Sequence, residues 1–216
     1  MTRTCGQFLS CLPRYSVLLL VSVTLCAAVC STQSGVCTAN MSKGCPNIIS
    51  RKEWGARDPA KALVDMKGPA QYVFIHHGAG VSCTDKQDCI KQVRGYQNYH
   101  MDDHKWLDIG YNFVVGEDGN VYEARGWTAV GAHTQKYNEV GIGICVIGDF
   151  NRRVPNEAAL DTIRQLIQYG LEKGHISPGY TLKGHRDVGS TECPGNQLYK
   201  LIQSWPHYKS GTQKYA

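Results

Sequence analysis

The sequence predicts a mixed α/β or α+β domain around a single sheet, and three features carry that expectation. Val140–Ile147 (VGIGICVI) is a nearly continuous apolar run, the pattern of a strand covered on both faces. Asn156–Lys173 places Leu160, Ile163, Leu166, Ile167 and Leu171 on one helical face. Tyr111–Val115 and Val121-Tyr122-Glu123 flank the turn Glu117-Asp118-Gly119-Asn120, which reads as a hairpin. Strands and helices alternate too freely for an all-α or all-β class.

The remaining elements follow in order. Tyr72-Val73-Phe74-Ile75 is a β-branched and aromatic run that ends at His76-His77-Gly78, as a buried strand entering a loop. Lys86–Met101 spaces Ile90, Val93 and Tyr96 as a helix does. Asn156 is the expected N-cap of the long helix and Gly174 its stop. Tyr180-Thr181-Leu182 is expected as a short strand and Gly195–Ser204 as the last helix. No repeat or low-complexity segment interrupts the chain.

The N-terminus reads as a targeting segment. Arg3 and Arg14 precede the apolar run Val17–Val29, which is short for a bilayer span and fits a secretory signal over residues 1–30. The rival is an uncleaved anchor; the polar stretch that follows at once favours cleavage. Residues 31–47 are expected to be a flexible lead-in, with a glycosylation sequon at Asn40, and residues 48–210 the functional domain. The net charge is +5, and Arg3 and Arg14 account for two of those charges. The mild remainder suits an anionic surface but lacks the basic stripe of a nucleic-acid binder.

An oxidising destination permits disulfides. Cys83 and Cys89 close a short loop and form the best candidate pair. Cys37 and Cys45 stay open, and Cys145, inside an apolar run, is expected to be a small buried hydrophobe.

Three metal-type ligands stand out. His76 ends a strand, His185 follows another in Lys183-Gly184-His185-Arg186-Asp187, and Cys193 lies in Thr191-Glu192-Cys193-Pro194-Gly195. Two imidazoles and a thiolate fill three corners of a Zn²⁺ tetrahedron and leave the fourth for water. Against this, lone histidines and cysteines are most often surface or core residues, and no CxxC or HExxH pattern is present.

The motifs at His76-His77, Gly110-Tyr111-Asn112-Phe113, Gly116-Glu117-Asp118-Gly119, Gly126-Trp127, Gly131-Ala132-His133 and Gly184-His185-Arg186-Asp187 resemble the peptidoglycan recognition proteins, relatives of T7-lysozyme-type amidases. The resemblance runs from about Ile49 to Tyr208 and implies a central sheet flanked by helices, with a groove on one face. It implies that His76, His185 and Cys193 bind zinc and that Tyr111 stands beside the reacting carbonyl. Thr191, which takes the place of a lysine in the phage enzyme, then helps place water or substrate. The retained thiol at Cys193 implies N-acetylmuramoyl-L-alanine amidase activity; recognition-only members commonly lack it, and a non-catalytic peptidoglycan binder is the alternative.

By the same resemblance His77, His100, Lys105, Trp106, Tyr111 and His133 line the groove, although Trp106 could simply be core and a structural reading stands beside the binding one for His100 and His133. The implied partner is bacterial peptidoglycan, bound by a secreted monomer with no stable membrane insertion. Three positions depart from the family pattern. Gly78 replaces a threonine or serine, while Leu107 and Tyr169 replace cysteines found in short mammalian members.

Overall fold

The computed structural model describes residues 45–211. The signal peptide, the Asn40 sequon, Cys37 and nearly all of the 31–47 lead-in lie outside the described residues. The strands are β1 (Ile48–Ile49), β2 (Ala70–His77), β3 (Phe113–Val115), β4 (Val121–Glu123), β5 (Gly141–Val146) and β6 (Ile176–Gly184). The helices are α1 (Arg51–Trp54), α2 (Lys86–Asn98), α3 (Glu157–Glu172) and α4 (Asn196–Ile202).

The strands form one mixed sheet in the order β1-β4-β3-β5-β2-β6. β2 is parallel to both β5 and β6, while β3 and β4 make the expected antiparallel hairpin. Strand β2 is apolar from Tyr72 to Ile75, where both faces are covered. Its odd-numbered residues Val73 and Ile75 join Ile142, Ile144 and Val146 against α3 and α4. On the other face Val114, Tyr122 and Cys145 pack with Trp54 of α1 and Cys89 and Val93 of α2. The architecture is therefore helix, sheet, helix, and period-2 alternation decides which side chains meet which layer.

Local chemistry explains the helix ends. Asn156 Oδ1 accepts from Ala159 N at 2.9 Å, as expected of the N-cap of α3. Its Nδ2 also donates to the Glu117 carbonyl, and Glu117 receives a two-pronged contact from Arg153. Gly174, with φ 72°, ends the turn after α3. The Cys83–Cys89 disulfide is present and ties the loop to the first turns of α2. Cys45 is also disulfide-bonded, and Cys145 is free and buried.

Five elements differ from expectation. β6 extends over Ile176–Gly184, beyond Tyr180–Leu182, because it is an edge strand and tolerates Pro178 and Gly179. α2 stops at Asn98 and continues as a π-helical turn, Tyr99–Asp103. Tyr111 and Asn112 precede β3 rather than belonging to it. β1 and α1 are too short to leave a periodic trace.

The departure at Gly78 has a packing cause. A Cβ there would overlap the Tyr96 hydroxyl and lie 2.6 Å from its Cζ. The phenol ring of α2 thus fills the space a side chain at 78 would need, and its buried hydroxyl has no hydrogen-bond partner. Gly78→Ala is expected to destabilise the fold by about 1–3 kcal/mol through overpacking. The same change in a Tyr96→Leu background should cost distinctly less. Denaturant unfolding of the four proteins of this cycle reads the coupling.

Candidate metal and substrate site

The site gathers where strands end. β2 and β6 run parallel with Ile75 opposite Gly184, so His76, still paired with Cys145 of β5, lies beside the start of His185-Arg186-Asp187. Ligand sites in sheets of parallel strands favour such carboxyl ends. Asp187 accepts from Gly184 N at 2.8 Å and from the hydroxyls of Tyr199 and Tyr208, which anchors the turn carrying His185 to α4. Arg186 holds the cysteine loop: its backbone N–H and its guanidinium donate to the Cys193 carbonyl, and the guanidinium also reaches the Glu192 carbonyl. Thr191 Oγ1 accepts from Cys193 N at 3.1 Å. Arg186 and Asp187 after His185, and Thr191 before Cys193, are thus structural clamps.

His76, His185 and Cys193 offer ligand atoms that all lie within 4.8 Å of one another. Cys193 Sγ is 3.6 Å from His76 Nδ1 and accepts from His77 N at 3.4 Å. Two imidazoles and a sulfur at this spacing fit a tetrahedral metal ion. Burial depresses both imidazole pKa values, so both rings stay neutral with a lone pair free to coordinate. Burial pushes the Cys193 thiol up to about 12, while the His77 N–H and Arg186 pull the other way. A metal there has to displace that proton.

A cavity of about 320 Å³ opens over these three residues. Of the residues expected to bind substrate, it brings together His77, His100, Trp106, Tyr111 and His133, with Thr191 at the metal end. Trp106 is 36% exposed and stacks on His100 at 4.8 Å, so it is wall and not core. Lys105 stays outside the cavity lining, its ammonium on the Asp102 carbonyl at 2.6 Å and its backbone at φ 60°. Asn151, Glu192, Ala79 and Ala132 also line the cavity and were not foreseen. Glu192, next to the cysteine, and Ala132, within Gly131-Ala132-His133, carried a sequence signal.

Hydrogen-bond partners fix how the rings present themselves. Gly110 N donates to His100 Nδ1 at 3.0 Å, and Phe150 N donates to His77 Nδ1 at 3.3 Å. Each ring therefore keeps its hydrogen on Nε2 as a donor. Tyr111 is held protonated, its pKa raised by burial and by the nearby Cys145 and Cys193.

With fold and site in view, the chain is a mixed-sheet domain carrying a His–His–Cys cluster that could hold a metal ion at one end of a groove. Residues 66–196 match the family described as N-acetylmuramoyl-L-alanine amidase, and the chain belongs to that family, among its peptidoglycan recognition proteins. It is 46% identical over 167 residues to peptidoglycan recognition protein 3 of Homo sapiens, covering 77% of this chain and 48% of that one. It is 43% identical over 166 residues to peptidoglycan recognition protein 1 of Bos indicus, covering 76% and 87%. The solved structure of human PGRP-IβC in complex with glycosamyl muramyl pentapeptide matches with TM-score 0.74 and 43% identity, covering 76% of this chain and 99% of that one.

The groove carries a pH liability. Burial lowers the pKa of His100 to about 4, against about 6.5 unfolded. The unfolded chain therefore binds the proton first as pH falls. Stability is unaffected above pH 6.5 and declines from there toward pH 4. By pH 5 the loss from this ring amounts to about 2 kcal/mol. His100→Gln should shed that share of the pH dependence, read by denaturant unfolding at pH 7 and pH 5.

Proposed function

We propose that this chain is a secreted zinc amidase that binds bacterial peptidoglycan and hydrolyses the amide between the lactyl group of muramic acid and L-alanine. The observation that carries the reading is the convergence of His76, His185 and Cys193 at one end of the groove. That donor set fills three corners of a zinc tetrahedron and leaves one open, the mark of a catalytic rather than a structural site. The muropeptide as ligand is supported by the human relative solved with glycosamyl muramyl pentapeptide. Secretion is supported by the apolar N-terminal run and by the Cys83–Cys89 disulfide.

Zinc, when bound there, supplies a Lewis acid for the amide carbonyl and lowers the pKa of water to about 7. Every other contribution belongs to the chain. Cys193 gives up its proton on taking the metal, and the His77 N–H and Arg186 stabilise the charge left on sulfur. Tyr111 keeps its proton across the working pH range and offers it to the negative charge that develops on the carbonyl oxygen. The stacked Trp106 and His100 give the sugar and stem a flat wall, and the Nε2–H groups of His77 and His100 donate to ligand oxygens. Thr191 holds the cysteine loop against the site.

The test is digestion of diaminopimelate-type and lysine-type peptidoglycan, with and without chelator, with fragments identified by mass. The parent is expected to release free stem peptides, and chelator to stop it. Cys193→Ser should lose both zinc and cleavage while still sedimenting with peptidoglycan. Tyr111→Phe should keep its zinc and lose on the order of 100-fold in kcat. A zinc-loaded parent that cuts neither polymer leaves a non-catalytic binder as the function.

A further inference from the structure

We propose that His133 is a positioning residue that sets which nitrogen of His76 carries the hydrogen, and so keeps His76 Nδ1 open for the metal. The inference rests on the metal reading above and assigns to His133 a task distinct from touching substrate.

Three contacts in series carry it. His133 Nε2 lies 3.3 Å from the Gly141 carbonyl oxygen, and a carbonyl only accepts, so the His133 hydrogen sits on Nε2. His133 Nδ1 is then a lone pair. It faces His76 Nε2 at 3.2 Å, which is a bond only if His76 Nε2–H donates. His76 Nδ1 is left unprotonated, and that is the atom 3.6 Å from Cys193 Sγ. Thr134 Oγ1 completes the arrangement at 3.0 Å from His133 Nδ1 and 3.3 Å from His76 Nε2. Its hydroxyl can donate to His133 and accept from His76 together. With the opposite tautomer of His76, two ring lone pairs would oppose each other at 3.2 Å, and the single Thr134 hydrogen could not serve both. Buried polar groups left in that state are costly.

The ring of His133 has no freedom to rotate out of this chain. A Cβ on Gly143 would come within 2.5 Å of its Cγ, and one on Gly131 within 2.7 Å of its Nε2. Two glycines thus form a slot for a flat ring. Asn138 Oδ1 fixes the backbone at both His133 N and Thr134 N, at 2.9 and 2.8 Å. Both ring nitrogens are engaged inside the protein.

The experiment has two readouts. Long-range ¹H–¹⁵N spectra of the metal-free protein at neutral pH report the His76 tautomer directly, with Nε2–H expected. Zinc affinity is measured by chelator competition. His133→Phe, which fills the slot without an acceptor, should weaken zinc binding 10–100-fold. His133→Asn, whose Oδ1 falls near the place of Nδ1, should recover most of it. Gly143→Ala, which displaces the ring without touching a ligand, should resemble His133→Phe. A metal-free protein with hydrogen on His76 Nδ1, or a folded His133→Phe that holds zinc as tightly as the parent, overturns the proposal. A parent that binds zinc and cuts nothing removes the amidase reading and leaves this one standing. For a parent that takes no zinc, the nitrogen shifts alone uphold or overturn the tautomer.

Discussion

The chemistry of this domain hangs on the register of β2 between its two parallel neighbours. Val73 lies opposite Ile142 on one side and Leu182 on the other, and His76 lies opposite Cys145. Because side chains alternate, a slip of one residue would send His77 to the face where His76 now sits. Val73 and Ile75 would leave the α3 side together, exchanging places with Phe74 and His76. The apolar core therefore enforces the site: the same alternation that buries isoleucine and valine against α3 delivers one histidine to the metal corner.

That corner is a polar cluster inside an apolar wall, and its survival requires that each buried group be matched. Asn112 shows the cost elsewhere in the sheet. It donates to the carbonyls of Gly126 and Ala129 and accepts from Gly143 N, which binds the hairpin to β5 beside His133. The glycines at 131 and 143 that make room for the His133 ring stand on the strand and loop that Asn112 fastens. Metal ligands, ring slot and sheet are in this sense one packing problem. By contrast the Tyr96 hydroxyl beside Gly78 is left unmatched, a local tension on the α2 side and not at the ligands.

Much of the fold was legible because its strongest elements repeat a period. β5 announced itself by an unbroken apolar run, and α3 by its stripe and its asparagine cap. β6 was legible only at Tyr180–Leu182, since Pro178 and Gly179 argue against a longer strand until its place at the sheet edge is known. The ligands were legible as residue types only. Cys193 lies 117 positions from His76, and nothing in their spacing says that parallel pairing of β2 and β6 brings them together. The part of His133 could not be read at all, because it depends on where the Gly141 carbonyl points.

On the proposed reading, binding and cutting draw on different parts of this architecture. The aromatic wall comes from the π-turn after α2 and the loop behind it, where His100 stacks on Trp106. The metal corner comes from the ends of β2 and β6 and from the loop that Arg186 clamps. Losing sulfur at position 193 would remove one ligand atom while leaving the wall, the Nε2–H donors of His77 and His100 and the sheet register as they are. On the proposed reading, a domain organised this way gives up hydrolysis in a single substitution and still holds its polymer, whereas disruption of the β2 register removes both at once.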